Sequence, residues 1–86
     1  MKPVYFSDPF KKEFKKLPPH LQRKFDKQLK FLLSDPRYPS LRARKMGGEE
    51  KYEARLDKHN RFTYKTNENE IWLLTIGPHD EGLGKK

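Results

Sequence analysis

Arg55, Arg61 and Lys65 recur within a stretch of alternating apolar and polar residues, and His79 follows that stretch after Gly77-Pro78. Arginine binds two phosphate oxygens at once and stays charged at any working pH. Imidazole titrates near neutrality, so it can give or take a proton. Fixed cations beside phosphorus stabilise the charge that builds during displacement. These are the aids a 2′-hydroxyl needs to attack its own phosphodiester: a base, an acid for the leaving oxygen, and positive charge, with no metal. Arg42, Arg44 and Lys45, just upstream, add further cations.

Residues 51–76 must position these groups. They read as three strands, KYEARLD, RFTYKT and EIWLLTI, joined by three-residue loops at Lys58-His59-Asn60 and Asn67-Glu68-Asn69. The first loop pairs Asp57 with Arg61, Arg55 with Thr63 and Glu53 with Lys65. The second pairs Thr66 with Glu70, Tyr64 with Trp72 and Phe62 with Leu74. Alternation then predicts an inner face of Tyr52, Ala54, Leu56, Phe62, Tyr64, Trp72, Leu74 and Ile76. Glu53, Arg55, Asp57, Arg61, Thr63, Lys65, Ile71, Leu73 and Thr75 fall on the outer face. A slip of one residue would mix the two sets.

Upstream, Pro3 to Phe6 reads as a short strand. Asp8 is the expected cap of a first helix, with Pro9 at its first position and Phe10, Phe14 and Leu17 at helical spacing. Pro18-Pro19 breaks that helix and opens a second, to about Ser34, striped by Leu21, Phe25, Leu29, Leu32 and Leu33. Phe31 falls off the stripe, as an exposed aromatic or a partner contact. Leu41 to Met46 reads as a basic strand or extended arm, and Gly47-Gly48 turns the chain into the three-strand unit. The order is β-α-α-β-β-β: one α+β domain over residues 1–86, a helical hairpin on one face of a small antiparallel sheet.

The chain has 86 residues, net charge +8 and no cysteine. The excess of Lys and Arg over Asp and Glu is +5 over residues 1–35, +5 over 36–65 and −2 over 66–86. A basic domain of this kind suits nucleic acid, an acidic protein or anionic lipid. The absence of cysteine excludes disulfide and thiolate chemistry. With no signal-peptide pattern and no apolar run long enough to span a bilayer, a cytoplasmic location without membrane attachment is expected. Three scattered histidines give no metal-ligand spacing. No Ser-His-Asp pattern, Walker loop or dinucleotide fingerprint is present, so no cofactor is expected.

The same residues also have structural readings. Asp57–Arg61 and Glu53–Lys65 would be cross-strand opposite-charge pairs, common stabilisers of an exposed sheet. Arg55, opposite Thr63, has no such partner. The lysines of the helices read as solvated faces. His20 and His59 read as a helix-start and a turn residue, and a lone loop histidine such as His79 is often incidental.

Taken in order, Leu17, the Leu21–Leu33 helix, Pro36, Pro39-Ser40-Leu41 and a Lys-Met-Gly-Gly turn precede three further motifs. These are Tyr52-Glu53-Ala54-Arg55-Leu56, Arg61-Phe62-Thr63-Tyr64 and Ile76-Gly77-Pro78-His79-Asp80-Glu81. Over almost its whole length the chain resembles the RelE/ParE superfamily of bacterial toxin–antitoxin toxins. The resemblance implies a toxin neutralised by an acidic antitoxin. In the RelE branch the toxin enters the ribosomal A site and cuts mRNA there. By the same resemblance, Arg61 contacts phosphate, Arg55 lies beside the scissile phosphate, and His79 serves proton transfer or charge stabilisation. Arg44 and Lys45 fall where members carry further basic residues. Glu53 stands where some nucleases carry lysine, and the tail Gly82 to Lys86 has no tyrosine where some use one, which leaves the general base open. The antitoxin is expected to cover the Arg55/Arg61 face or displace the tail after Gly77. Two alternatives stand: a ParE-like, non-enzymatic inhibitor of DNA gyrase, whose basic ending differs from His79-Asp80-Glu81, and a non-toxic nucleic-acid-binding relic.

Overall fold

A computed structural model of the chain describes residues 2–35, 37–46 and 51–78. The Gly47-Gly48 turn, and His79 with the tail beyond it, lie outside these residues. The elements are β1 (Val4–Phe6), α1 (Asp8–Lys15), α2 (Pro19–Ser34), a 3-10 turn (Pro39–Leu41), β2 (Arg44–Met46), β3 (Lys51–Arg55), β4 (Asn60–Thr66) and β5 (Ile71–Pro78). Two helices pack on one face of a five-stranded sheet ordered β1-β5-β4-β3-β2. The expected antiparallel sheet holds for β2 to β5. It is corrected at β1, which joins β5 in parallel. A parallel partner needs a long crossover, and the helical hairpin begins it.

Ser7, not Asp8, caps α1. Its Oγ accepts the Phe10 N–H at 3.2 Å and donates to the Leu74 carbonyl at 2.9 Å. β1 reaches only Ile71 to Leu73. Beyond it the rim of β5 would be left bare, and α1 takes over. The Ser7 N–H donates to Leu73 O at 3.0 Å, and Glu13 Oε1 accepts the Ile76 N–H at 2.9 Å. One short helix thus satisfies backbone groups that a longer β1 would otherwise have paired.

On α2 the buried positions are Leu21, Phe25, Gln28 and Leu32, a stripe at i, i+4, i+7 and i+11, while Leu29 and Leu33 are partly covered. Phe25 meets Phe10 and Phe62 with ring centroids 5.2 Å away in each case. Phe62, Leu56 and Leu73 are fully buried beneath. Phe31, off the stripe, stacks on Tyr38 at 4.0 Å. Among the described residues no helix is long and apolar enough to cross a membrane.

Both hairpin registers differ from expectation, and an acidic or amide side chain explains each. Asp57 Oδ1 accepts the N–H groups of His59 (2.9 Å) and Asn60 (2.8 Å) and the Asn60 amide (3.0 Å). This Asx turn lengthens the first loop, so Arg55 pairs with Arg61, Glu53 with Thr63 and Lys51 with Lys65. The shift is two residues, so both faces keep their members. In the second loop Asn67 Oδ1 accepts from Asn69 N (2.7 Å) and Glu70 N (3.0 Å), and the loop takes four residues instead of three. Thr66 now pairs with Ile71, Lys65 with Trp72 and Tyr64 with Leu73. That shift is odd, so Ile71 and Leu73 enter the core and Trp72 turns outward, the reverse of the expected placement. An irregularity at Leu74 then restores the parity, with Thr75 opposite Thr63 and Ile76 opposite Phe62.

Candidate functional site

No described element packs on the outer face of the sheet. Its register puts side chains in rows across the strands. One row is Arg55, Arg61 and Gly77; the next is Arg44, Glu53, Thr63 and Thr75; a third is Met46, Lys51, Lys65, Trp72 and Tyr5. Two cross-strand pairs on β3 and β4 are therefore like-charged, Arg55 with Arg61 and Lys51 with Lys65. Directly opposed like charges destabilise a sheet. The expected Asp57–Arg61 and Glu53–Lys65 ion pairs do not form, because the longer first loop moved their partners apart. Glu53 instead accepts from Arg44 Nη2 at 3.2 Å, a pair in which the carboxylate is buried and the guanidinium exposed.

Among the described residues Arg61 is pinned without being neutralised. Its Nη1 donates to the carbonyls of Asp57 (2.8 Å) and Asn60 (3.0 Å). The other edge of the guanidinium, Nε and Nη2, has no partner among the described residues and can take a phosphate with two parallel hydrogen bonds. Burial pushes the Asp57 carboxyl up. The Asn60 side chain, the His59 and Asn60 N–H groups and nearby Lys24 outweigh this and hold it below the usual aspartate value. A charged Asp57 fixes the loop whose carbonyl aims Arg61.

Arg55 is held from the opposite side of the sheet. Gln28, buried on α2, donates from Nε2 to the Arg55 carbonyl at 2.8 Å and to the Ser40 carbonyl at 3.2 Å, and its Oε1 accepts from Ser40 Oγ at 3.2 Å. The Arg55 guanidinium has no ion pair among the described residues. Next in the row, Gly77 has φ of 154°, and no described residue lies within 4 Å of where a Cβ would stand. Among the described residues, the row is uncovered at its Gly77 end.

The structure brings together Arg55, Arg61, Lys65 and Arg44 on the outer face. It does not bring the other two expected cations there. Lys45 has the parity of Tyr52, towards the helix side. Arg42 is in the left-handed conformation (φ 45°), and it lines a groove of about 920 Å³ on that side with Arg37, Tyr52 and Tyr64. The left-handed residue breaks the alternation that would have placed Arg42 with Arg44. Burial, with Tyr52 beside it, pushes the Tyr64 hydroxyl up to about 12, so it stays neutral and is no base at working pH. Among the described residues no three His, Asp or Glu side chains cluster to hold a metal ion.

Sequence reasoning missed Lys51, Trp72 and Tyr5 on this face, and Gln28 behind it. The Asx residues Asp57 and Asn67, three and four positions before the strands that follow, were the available signal for the first three. Gln28 at a core position of the α2 stripe was the signal for the fourth, since a buried amide needs partners.

No protein-family model matches the sequence, and no curated protein does. Solved structures share the fold. YafQ from E. coli strain BL21(DE3) superposes with a TM-score of 0.83 at 13% identity, over 98% of this chain and 100% of that one. A YoeB/ParE toxin from Agrobacterium tumefaciens gives 0.77 at 12% identity, covering 92% and 99%. The E. coli RelBE toxin–antitoxin complex gives 0.75 at 20% identity, covering 91% and 96%. The architecture is that of the RelE-like toxins.

Proposed function

We propose that this chain is the toxin of a type II toxin–antitoxin system, an endoribonuclease that cuts mRNA in the ribosomal A site and so stops translation in the cytoplasm. The observation that carries the reading is the pair of like-charged rungs, Arg55 with Arg61 and Lys51 with Lys65, on a sheet face that no described element covers. A polyanion relieves that repulsion, and RNA supplies phosphates at repeated spacing. The shared fold with YafQ and RelE supports the same reading.

Arg55 and Arg61 grip the scissile phosphate. The 2′-oxygen forms a bond to phosphorus as the bond from phosphorus to the 5′-oxygen breaks. The 2′-proton passes to a base, and the 5′-oxygen takes up a proton. His79, which follows β5 in sequence, is assigned to this proton transfer. Charge gathers on the non-bridging oxygens between the two guanidiniums, and two cations held there before the reaction need no reorganisation as it proceeds. No metal step is required. Arg44 and Lys65 hold the flanking strand. The antitoxin, acidic or amphipathic, covers this face.

The test is cleavage in a reconstituted translation system. Wild-type protein cuts mRNA, while R61A and R55A each cut about 10²- to 10³-fold more slowly. If H79A cuts as fast as wild type, the proton-transfer assignment falls. If wild type does not cut, the enzyme reading falls. Trapped gyrase–DNA complexes in a supercoiling assay would then put a non-enzymatic gyrase inhibitor in its place.

A further inference from the structure

We infer that Tyr5 and Trp72 form a base-stacking subsite for single-stranded RNA, at the far end of the face that carries the paired cations. The inference rests on the reading of that face as an RNA surface, and extends it from phosphate to base. The odd shift in the second hairpin turns Trp72 outward, where it is 42% exposed, and its neighbour Tyr5 is 41% exposed. Only 33% of the chain is hydrophobic, yet its one tryptophan stands outside the core.

The two rings are set as a platform. They stack with centroids 4.6 Å apart at 24°. The indole N–H donates to Glu70 Oε2 at 3.0 Å, which fixes the ring plane. Beside it lies a shallow groove of about 370 Å³ lined by Lys65, Thr66, Asn67, Trp72 and Leu74. Leu74 is the residue skipped by the β4–β5 pairing, so the same irregularity that restores the register also lines the groove. Lys65 stands directly opposite Trp72, which sets a cation against the platform.

The spacing suits a strand of RNA. Arg61 and Lys65 are four residues apart on β4, about 13 Å, a length that a few extended nucleotides cover. Between them the Thr63 and Thr75 hydroxyls share a hydrogen bond at 2.6 Å and are exposed, available to a 2′-hydroxyl or a phosphate oxygen. Among the described residues two carboxylates lie on the path, and both are engaged: Glu53 with Arg44, Glu70 with the indole. Aromatic faces accept any base, which suits sequence-tolerant binding of a single strand. An acidic peptide would satisfy the cations but does not by its acidity supply a base for the rings to stack on. The Tyr5–Trp72 contact also joins β1 to β5, so the experiment has to separate stacking on RNA from stability.

Trp72 is the sole tryptophan, so its emission reports this subsite directly. The full chain is titrated with a labelled single-stranded oligoribonucleotide and with an abasic oligomer of equal length, following label polarisation and tryptophan emission together. RNA is expected to bind and quench Trp72; the abasic oligomer binds more weakly and does not quench. W72A weakens RNA binding about 5- to 150-fold, whereas W72F, which keeps an aromatic on β5 against Tyr5, stays within a few-fold of wild type. R61A lowers affinity, yet quenching at saturation persists. RNA binding that depends on Arg61 but leaves Trp72 emission unchanged, with W72F and W72A both like wild type, overturns the subsite and leaves the proposed function standing. Absence of RNA binding by polarisation also overturns the subsite, and mRNA cleavage in the translation system decides the proposed function separately.

Discussion

The two hairpins of the sheet are built alike and differ in one integer. Each loop is closed by a carboxylate or amide oxygen that accepts backbone N–H groups, Asp57 in the first and Asn67 in the second. The first moves the register by two residues, the second by one. An even shift changes which residues are neighbours but not which face they occupy; an odd shift exchanges the faces. The first hairpin therefore keeps its expected cations outside and brings Arg55 against Arg61. The second sends Ile71 and Leu73 into the core and Trp72 out, until the irregularity at Leu74 restores the order. Loop chemistry, more than strand composition, decides what each face displays.

The largest effect that breaks this contrast comes from placing the same charge on adjacent residues of β5. Leu73 is fully buried and Trp72 is exposed. L73K puts an ammonium into an apolar core with no partner. The penalty is several kcal/mol, comparable with the whole stability of a small domain. It should leave no cooperative thermal transition by circular dichroism. W72K should lose only about 1 kcal/mol, from its contact with Tyr5. Equal damage from both would show that the odd shift is wrong.

A smaller difference separates the two loop closers. Asp57 accepts three hydrogen bonds as a carboxylate and also fixes the carbonyl that Arg61 grips; Asn67 accepts two as a neutral amide. D57A should cost about 1–3 kcal/mol and N67A about 0.5–1.5 kcal/mol in chemical denaturation at neutral pH. The Asp57 value is held below its ordinary 3.8 in the fold. Its stabilisation is therefore complete above pH 3.8 and is lost as pH falls through the lower folded value. The gap between wild type and D57A should narrow below pH 3.8, while the gap to N67A should not move for this reason. A D57A gap that is constant down to pH 2 would remove the charge from the account.

Much of this is legible in the amino-acid sequence. The helices declare themselves by period and by Pro9 and Pro18-Pro19, and the Arg55/Arg61 face survives because an even shift leaves parity intact. What was not legible depends on single side chains acting on backbone. Ser7 caps in place of Asp8 because it also reaches Leu74 O. β1 pairs in parallel because it abuts the end of a remote strand, which no local pattern announces. The Glu53–Lys65 and Asp57–Arg61 ion pairs both depend on a first loop two residues shorter than the one that forms. Arg42 leaves the face because one residue adopts φ 45°. Alternation reads strands well, but it cannot count the residues in a turn.

The smallest expected effect tests the premise of the functional reading. If Arg55 and Arg61 repel across the sheet, R55T should raise stability, since it removes the opposing charge and puts a β-branched residue on a strand. The gain should be about 0.2–1 kcal/mol at low salt. At about 1 M salt the Debye length falls to roughly 3 Å and most of the charge contribution should vanish. R44T is the control on the same face: it breaks the pair with Glu53 and should destabilise. A fold that is more stable without Arg55, yet cuts RNA less well, would carry that guanidinium for its ligand and not for itself. Were R55T to destabilise at low salt, the opposed cations would be structural after all, and the case for a phosphate between them would lose its physical ground.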